Sequence, residues 1–385
     1  MRIFIDALSA KAGGGITYMR YLPKALASID KDSDYFILVS KRYQKGLIQD
    51  LPSNFHYYQV DIPSKPVIIK LLWEQFVLPL ILLREHADLL YVVTQTACFL
   101  SPCPVIIALR NPNVYADFSQ LIGFVNKMRR VIQRLITELS VRKAAKVIFV
   151  SESSMKQAAR KIPVPASKRV VIYHGFDHSF VLQNPSLPSN LSWLGQKDFI
   201  LCVSNISRHK NYPTLIKGYS LLLKQAMAEQ TPDLVIVGGI SDQRTYTIIM
   251  RLVRDSNLQE RVHLIGAVKH STLPSIYKAA KLFVLPSLQE TFGHTLIEAM
   301  ASELPIVASD IPVIREICQQ AAVYFDPNAP DDLRAKMEEV LSNSRLREKL
   351  IQKGLERAKA FSWEKCAKET LAVFKEVYNA AKGRS

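Results

Sequence analysis

The chain alternates short apolar runs with longer amphipathic stretches. MRIFIDAL at 1–8, ITYMRYLPKALASI at 16–29 and YFILVS at 35–40 predict strand, helix, strand. Further strand candidates are ADLLYVV (87–93), PVIIAL (104–109), AKVIFVS (145–151) and RVVIYHG (169–175). Several are apolar at consecutive positions, as strands buried on both faces of a parallel sheet require. Strands alternating with helices build βαβ units. Residues 180–196, FVLQNPSLPSNLSWLGQ, are rich in Pro, Asn and Ser and predict a linker. The alternation then restarts with DFILCVSN, a helix from near Tyr212, DLVIVGG, a helix through Ile248 to Val253, RVHLIG, LFVLPS, IVAS and AVYF. From Pro330 onward the pattern is helical. Two α/β halves, 1–185 and 186–365, are expected, with a cleft between them where a ligand binds.

One further helical stretch, 120–146, is amphipathic and basic. Leu121, Val125, Met128, Ile132, Leu135 and Leu139 recur at helical spacing, among Lys127, Arg129, Arg130, Arg134, Arg142 and Lys143. The apolar stripe is expected to pack into the core and the basic face to meet solvent, where it would also attract anionic lipid headgroups.

Composition narrows the picture. Of 385 residues 48% are apolar and 22% charged, which suits two well-packed domains rather than a disordered chain. The net charge is +16 and uneven: residues 1–195 carry 24 Lys/Arg against 13 Asp/Glu, and residues 196–385 carry 26 against 21. A basic half implies an acidic partner: nucleic acid, anionic lipid or a phosphorylated substrate. Five cysteines without a C-x-x-C pair argue against a disulfide framework or structural zinc and for a reducing, cytoplasmic setting. The opening residues lack the pattern of a signal peptide, and apolar runs such as FVLPLILL (76–83) are too short to span a bilayer.

Three loops carry candidate chemistry. Gly13, Gly14 and Gly15 follow the first strand and open a helix, so they make either a tight turn or a ligand loop. SNISRHKN (204–211) follows a buried strand and offers basic groups to a diphosphate; a solvated polar loop is the plainer alternative. The third, QETFGHTLIEAMA (289–301), leaves a strand and enters a helix near Gly293, with amides of Phe292 to Leu296 positioned for a phosphate. Its two acids, Glu290 and Glu298, suit the vicinal hydroxyls of a sugar, although acids at a helix start are common in any protein.

Taken together these segments resemble the retaining glycosyltransferase family 4, of the GT-B fold with two Rossmann-like domains. The motif acid–seven residues–acid is matched by Glu290 and Glu298, with Pro286-Ser287 before it, Phe292-Gly293 inside it, and EAMA, PIVASD and Arg315-Glu316 after it. Agreement extends to VVIYHGFDHSF, ISRHKN, LVIVGG, HLIGAV, GITYMRYL and the closing FSWEKCAKETLAVFKEVY, and so spans essentially the whole chain. The resemblance implies a nucleotide-sugar donor domain at 186–365, an acceptor-side domain at 1–185, and a C-terminal helix over 366–385 packing back on the latter.

Roles follow from the same resemblance. Glu298 would hold the ribose hydroxyls and Glu290 the donor hexose. The amides of Phe292, Gly293, His294 and Thr295, flanked by Thr291 and Leu296, would meet the sugar and the diphosphate. Lys210 would neutralise the diphosphate, Val268 would meet the base through its backbone, and Gly14 and Gly15 would approach from the other domain. The chain departs from the family in three places. Asn205 stands where an arginine is common, leaving Arg208 as a substitute cation. Glu303 replaces a common glycine. Arg110-Asn111 stands where a histidine touches the donor sugar, which makes Asn111 or Arg110 the candidate for that contact. The implied reaction is hexosyl transfer with retention from GDP-mannose or a UDP-hexose to a hydroxyl of a glycan or lipid-linked glycan, in bacterial surface polysaccharide synthesis. It needs neither metal nor cofactor beyond the donor, and it places the protein in the cytoplasm or at the inner face of the plasma membrane. The competing readings are a nucleotide-sugar epimerase of the same fold and a basic nucleic-acid-binding protein; the latter is disfavoured because the charge is spread over long helices.

Overall fold

The computed structural model describes residues 1–9, 14–40, 51–62, 67–110, 124–181, 186–225 and 231–383. They form two compact units, Met1–Gly175 with Ser362–Ser385, and Phe176–Phe361.

Unit 1 begins with β1 (Arg2–Asp6), α1 (Gly14–Ile29), β2 (Asp34–Ser40), β3 (Phe55–Val60), α2 (Val67–Phe76), α3 (Leu78–Arg84) and β4 (Leu89–Val92). It continues with β5 (Val105–Leu109), α4 (Phe124–Lys143), β6 (Lys146–Phe149), α5 (Glu152–Ala159) and β7 (Arg169–Val171). The seven strands are parallel in the order β3-β2-β1-β4-β5-β6-β7. Because successive side chains point to opposite faces, Ile3 and Ile5 enter one core layer and Phe4 the other. All three are fully buried, which explains the uninterrupted apolar runs. β3 was not evident beforehand: FHYYQV exposes His56 and Gln59 at the sheet edge and so breaks the apolar run.

The second layer overturns one expectation. The α4 stripe does not pack into the core: Met128, Ile132, Leu135 and Leu139 are about half exposed, at 45–54%. The helix instead buries Thr137, Ser140 and Val141. Small polar groups can occupy a buried helix face because they bond backward along it: Thr137 donates to the Gln133 carbonyl at 2.8 Å and Ser140 to that of Ile136 at 2.7 Å. Leu121 lies outside the described residues, as does the side chain of Val125.

Unit 2 contains β8 (Phe199–Val203), α6 (Tyr212–Gln225), β9 (Asp233–Val237), α7 (Gln243–Asp255), β10 (Val262–Gly266), α8 (Leu273–Ala279) and β11 (Leu282–Leu285). It is completed by α9 (His294–Ala301), β12 (Ile306–Ser309), α10 (Pro312–Cys318), β13 (Ala322–Phe325), α11 (Pro330–Ser342) and α12 (Ser344–Ala358). Its six parallel strands run β10-β9-β8-β11-β12-β13. Within the stretch expected as a linker, Phe180, Leu191 and Leu194 are buried in this unit.

The chain then returns to unit 1 as α13 (Trp363–Lys382), capped by Ser362, whose hydroxyl accepts from the Lys365 amide at 3.0 Å. Trp363, Cys366 and Phe374 pack with Ile3, Tyr18 and Tyr91. All five cysteines are free and buried. Among the described residues, no helix is long and apolar enough to cross a membrane.

Candidate active site

In unit 2 the strand order reverses between β8 and β11. Their connections depart in opposite directions, which opens a crevice at the carboxyl ends of these two strands. The loops flanking it, 204–211 after β8 and 286–293 after β11, are the two singled out by sequence. One backbone bond ties them: Leu288 N–H donates to the His209 carbonyl at 2.8 Å.

The first loop is held from both sides. The Ser204 and Tyr212 hydroxyls lie 2.7 Å apart. Asn211 takes a left-handed conformation (φ 55°), which asparagine tolerates better than most residues. Its amide donates to the Pro327 carbonyl at 2.7 Å and its carbonyl oxygen accepts from Thr214 at 3.0 Å. These bonds end the short turn Arg208–Lys210 and fix the root of Lys210.

Lys210 reaches across the crevice to Glu290, Nζ to Oε1 2.5 Å, and the two side chains are only 17% and 12% exposed. Burial alone would push the Glu290 carboxyl up. The charge and hydrogen bond of Lys210 outweigh it and hold the group below the usual carboxylate range. Burial and the Lys210 charge push the His209 ring down, against a smaller opposing effect of Glu290, which favours a neutral imidazole. The crevice therefore favours a carboxylate at Glu290 beside an uncharged His209 ring.

The second loop ends at Gly293, with φ 87° and ψ 56°. A Cβ there would lie 2.9 Å from Leu296 Cδ1, in a backbone conformation that side chains resist. Phe292 is buried, with its ring edge-on to His294 at 5.1 Å and to Phe361 at 5.8 Å. The N-terminal amides of α9 and its dipole thus start beside Glu290. Thr291, His294 and Thr295 are half-buried around this start. Leu296 departs from expectation: its amide donates to the Gly293 carbonyl at 3.0 Å and its side chain is core.

Glu298 lies one turn further along α9 and is buried. Its Oε2 accepts from the Tyr277 hydroxyl at 3.0 Å, and its Oε1 stands 3.6 Å from His270 Nε2. His270 Nδ1 in turn faces Asp177 at 3.8 Å. Burial, and then the adjacent carboxylate, push the Tyr277 phenol well above its ordinary value, so it stays a donor. Tyr277, His270 and Asp177 were not read from sequence. Tyr277 looks like any core aromatic, and no spacing links residues this far apart.

The remaining expected residues divide. Asn205 is exposed and its side-chain oxygen accepts from the Gly239 amide at 3.2 Å, tying the β8 loop to the β9 loop. Gly238 permits that approach, since a Cβ there would sit 2.0 Å from the Ser204 carbonyl oxygen. Arg208 is exposed on the same turn as Lys210. Val268 is half-buried in the loop after β10. Glu303 adopts the left-handed conformation (φ 60°) natural to the glycine it replaces, and Lys278 bonds it at 2.9 Å. Gly14 and Gly15 open α1 in unit 1. Asn111 and Gly13 lie outside the described residues. Arg110, beside Asn111, is tied down in unit 1: it stacks 3.3 Å over the Tyr18 ring and donates to the Tyr91 hydroxyl at 2.9 Å.

Comparison with known proteins follows the same division. Residues 185–357 match the model of Glycosyl transferases group 1, and residues 12–180 match Glycosyltransferase Family 4. The O-antigen chain mannosyltransferase B of Escherichia coli is 28% identical over 242 residues, 61% of this chain and 62% of that protein. The chain thus spans less than two thirds of that relative's length. Sucrose-phosphate synthase from Thermosynechococcus elongatus superposes with a TM-score of 0.78 at 19% identity, covering 99% of this chain and 100% of that one. Anabaena HepE, solved in complex with UDP-glucose, gives 0.75 at 19% identity over 98% and 100%. The two family models, the paired parallel-sheet units and the glutamate motif agree, and the chain belongs to the family 4 (group 1) glycosyltransferases of the GT-B fold.

Proposed function

We propose that this protein transfers a hexose from a nucleotide diphosphate sugar to a hydroxyl of a glycan or lipid-linked glycan, with retention and without a metal. The observation that carries the reading is the Lys210–Glu290 pair at the reversal point of the unit 2 sheet, beside the start of α9. The E. coli relative, an O-antigen mannosyltransferase, supports mannose as the sugar, and UDP-glucose bound to Anabaena HepE supports a UDP-hexose as the alternative. Surface polysaccharide synthesis is supported by the same O-antigen relative. The five buried free cysteines favour a reducing cytoplasm.

The chemistry follows from where charge develops. As the bond from the anomeric carbon to the phosphate oxygen breaks, negative charge grows on the diphosphate. The Lys210 ammonium and the α9 amides stabilise it in place of a metal. The acceptor hydroxyl attacks the anomeric carbon from the face the phosphate leaves, and its proton passes to a leaving phosphate oxygen. Glu290, ionised and held by Lys210, accepts hydrogen bonds from sugar hydroxyls. Glu298, oriented by Tyr277, does so for the ribose. Both acids position the donor, and neither is a nucleophile.

The test is turnover across a panel of GDP- and UDP-hexoses, with and without acceptor, in the presence of EDTA, with the product anomer read by NMR. The reading predicts acceptor-dependent release of the nucleoside diphosphate, an anomer matching the donor, and indifference to EDTA. Epimerised nucleotide sugar without transfer would overturn it.

A further inference from the structure

Unit 1 presents an apolar face that its own core does not use. On α2 and α3, Ile68, Leu72, Phe76, Leu80 and Leu83 are exposed at 50–65%. They recur at helical spacing, so each helix turns one side outward. The exposed stripe of α4 forms a second such side.

The two sides belong to one surface. Gln75 of α2 donates to the Ala97 carbonyl at 3.0 Å and accepts from the Phe99 amide at 2.8 Å. Ser140 of α4 accepts from the Ala97 amide at 3.0 Å. The loop 97–101 is therefore clamped between the helices, and Leu100, 57% exposed, stands on it. Leu78, Leu82 and Val141 bury the inner sides of α3 and α4 in the same core layer. Isolated exposed leucines need no explanation, but outward apolar sides on three helical segments tied together by one loop do.

Charge identifies the occupant. Unit 1 carries 29 Lys/Arg against 15 Asp/Glu, a net of +14, while unit 2 carries 21 against 19. Arg129, Arg142 and Lys143 are exposed along α4, and Arg84 ends α3 at 83% side-chain exposure. An apolar centre with a basic border suits helices lying in the interface of an anionic bilayer. A second copy of the chain would set two such borders against each other, which like charge opposes. Nucleic acid would call for a series of aromatic stacking groups, where this face has Phe76 among aliphatic side chains.

We infer that the α2–α3, 97–101 and α4 face is a membrane-docking surface that seats its leucines among the acyl chains of an anionic lipid leaflet. This deepens the proposed reaction by naming where a lipid-linked acceptor would be met, yet it rests on the face itself and not on that reaction.

The experiment is co-sedimentation of the full chain with vesicles of phosphatidylcholine alone or mixed equally with phosphatidylglycerol. Binding to the mixed vesicles at least tenfold tighter than to phosphatidylcholine is expected, weakening with salt. A triple variant Ile132→Ser, Leu135→Ser, Leu139→Ser, and separately Leu72→Ser with Leu80→Ser, should each lose binding at least tenfold while keeping the wild-type thermal midpoint and vesicle-free donor turnover. Equal binding to both vesicle types, or variants that bind as wild type, would overturn the inference. So would sedimentation velocity showing a wild-type dimer that the serine variants convert to monomer, since the face would then belong to a second copy. Turnover is scored separately: vesicle binding without any donor turnover counts against the proposed reaction and supports the docking surface.

Discussion

Among the described residues each unit buries one lysine–glutamate pair, and the two carboxyls respond in opposite directions. In unit 2 Lys210 stands 2.5 Å from Glu290 and holds it below the usual carboxylate range. In unit 1 Lys70 stands 2.8 Å from Glu74, yet Glu74 is pushed up to about 8. Burial acts upward in both. The difference lies in the other neighbours: Asp6, at the end of β1, places a second carboxyl against Glu74, and Lys70 also donates to the Ser9 hydroxyl. A nearby lysine does not by itself keep a buried acid ionised; the sum of surrounding charges does. Glu290 is therefore held as a carboxylate in unit 2, while the unit 1 cluster keeps a carboxylic acid neutral inside the fold.

The comparison is broken most strongly at Lys210. Lys210→Ala should lower kcat/KM for the donor by roughly 10²–10³, the range for losing one group that stabilises developing charge. Glu290 then loses the partner that opposes burial. Its carboxyl should rise, and residual turnover should move to higher pH, as a pH–rate profile would record. In the wild type the sign is the reverse. Glu290 has a depressed folded value, so its stabilising contribution is present above its ordinary 4.5 and is lost as pH falls through the lower folded value.

A smaller effect is expected at Glu74, where the sign inverts. An acid raised to about 8 costs the folded state stability as pH climbs from its ordinary 4.5 toward that value. Glu74→Gln keeps the hydrogen-bonding shape without the charge. The unfolding free energy from denaturant titration should match wild type at pH 4 and exceed it at pH 8 by on the order of 1–3 kcal/mol. The smallest effect should come from Lys70→Met. With Glu74 already able to take up a proton, the loss should be about 1 kcal/mol, roughly 0.5 kcal/mol for each of the hydrogen bonds Lys70 gives to Glu74 and Ser9, and donor turnover should be unchanged.

Both sheets were legible in the sequence because strands buried on two faces are apolar at every position; β5, β8 and β11 are plain examples. β3 escaped because an edge strand shows solvent its polar side. α4 was legible as an amphipathic helix but not in its orientation: periodicity reports that a helix has an apolar face, and says nothing about what that face meets. Glu290, Glu298 and Lys210 stand out in the sequence as candidates because their loops carry local signals of strand, turn and helix start. Tyr277, His270 and Asp177 were not, since what brings them to Glu298 is the packing of α8 and the preceding turns against α9. The Asp6–Glu74 cluster was invisible for the same reason.

The central claim is that the crevice between β8 and β11 holds a nucleotide diphosphate sugar, with Glu298 on its ribose. Isothermal titration calorimetry of the wild type and of Glu298→Ala with GDP-mannose and UDP-glucose tests it most directly. The account predicts saturable wild-type binding to one of the two donors, at least tenfold weaker binding by the variant, and a circular dichroism spectrum unchanged by the substitution. Equal donor affinity in the two proteins would contradict it.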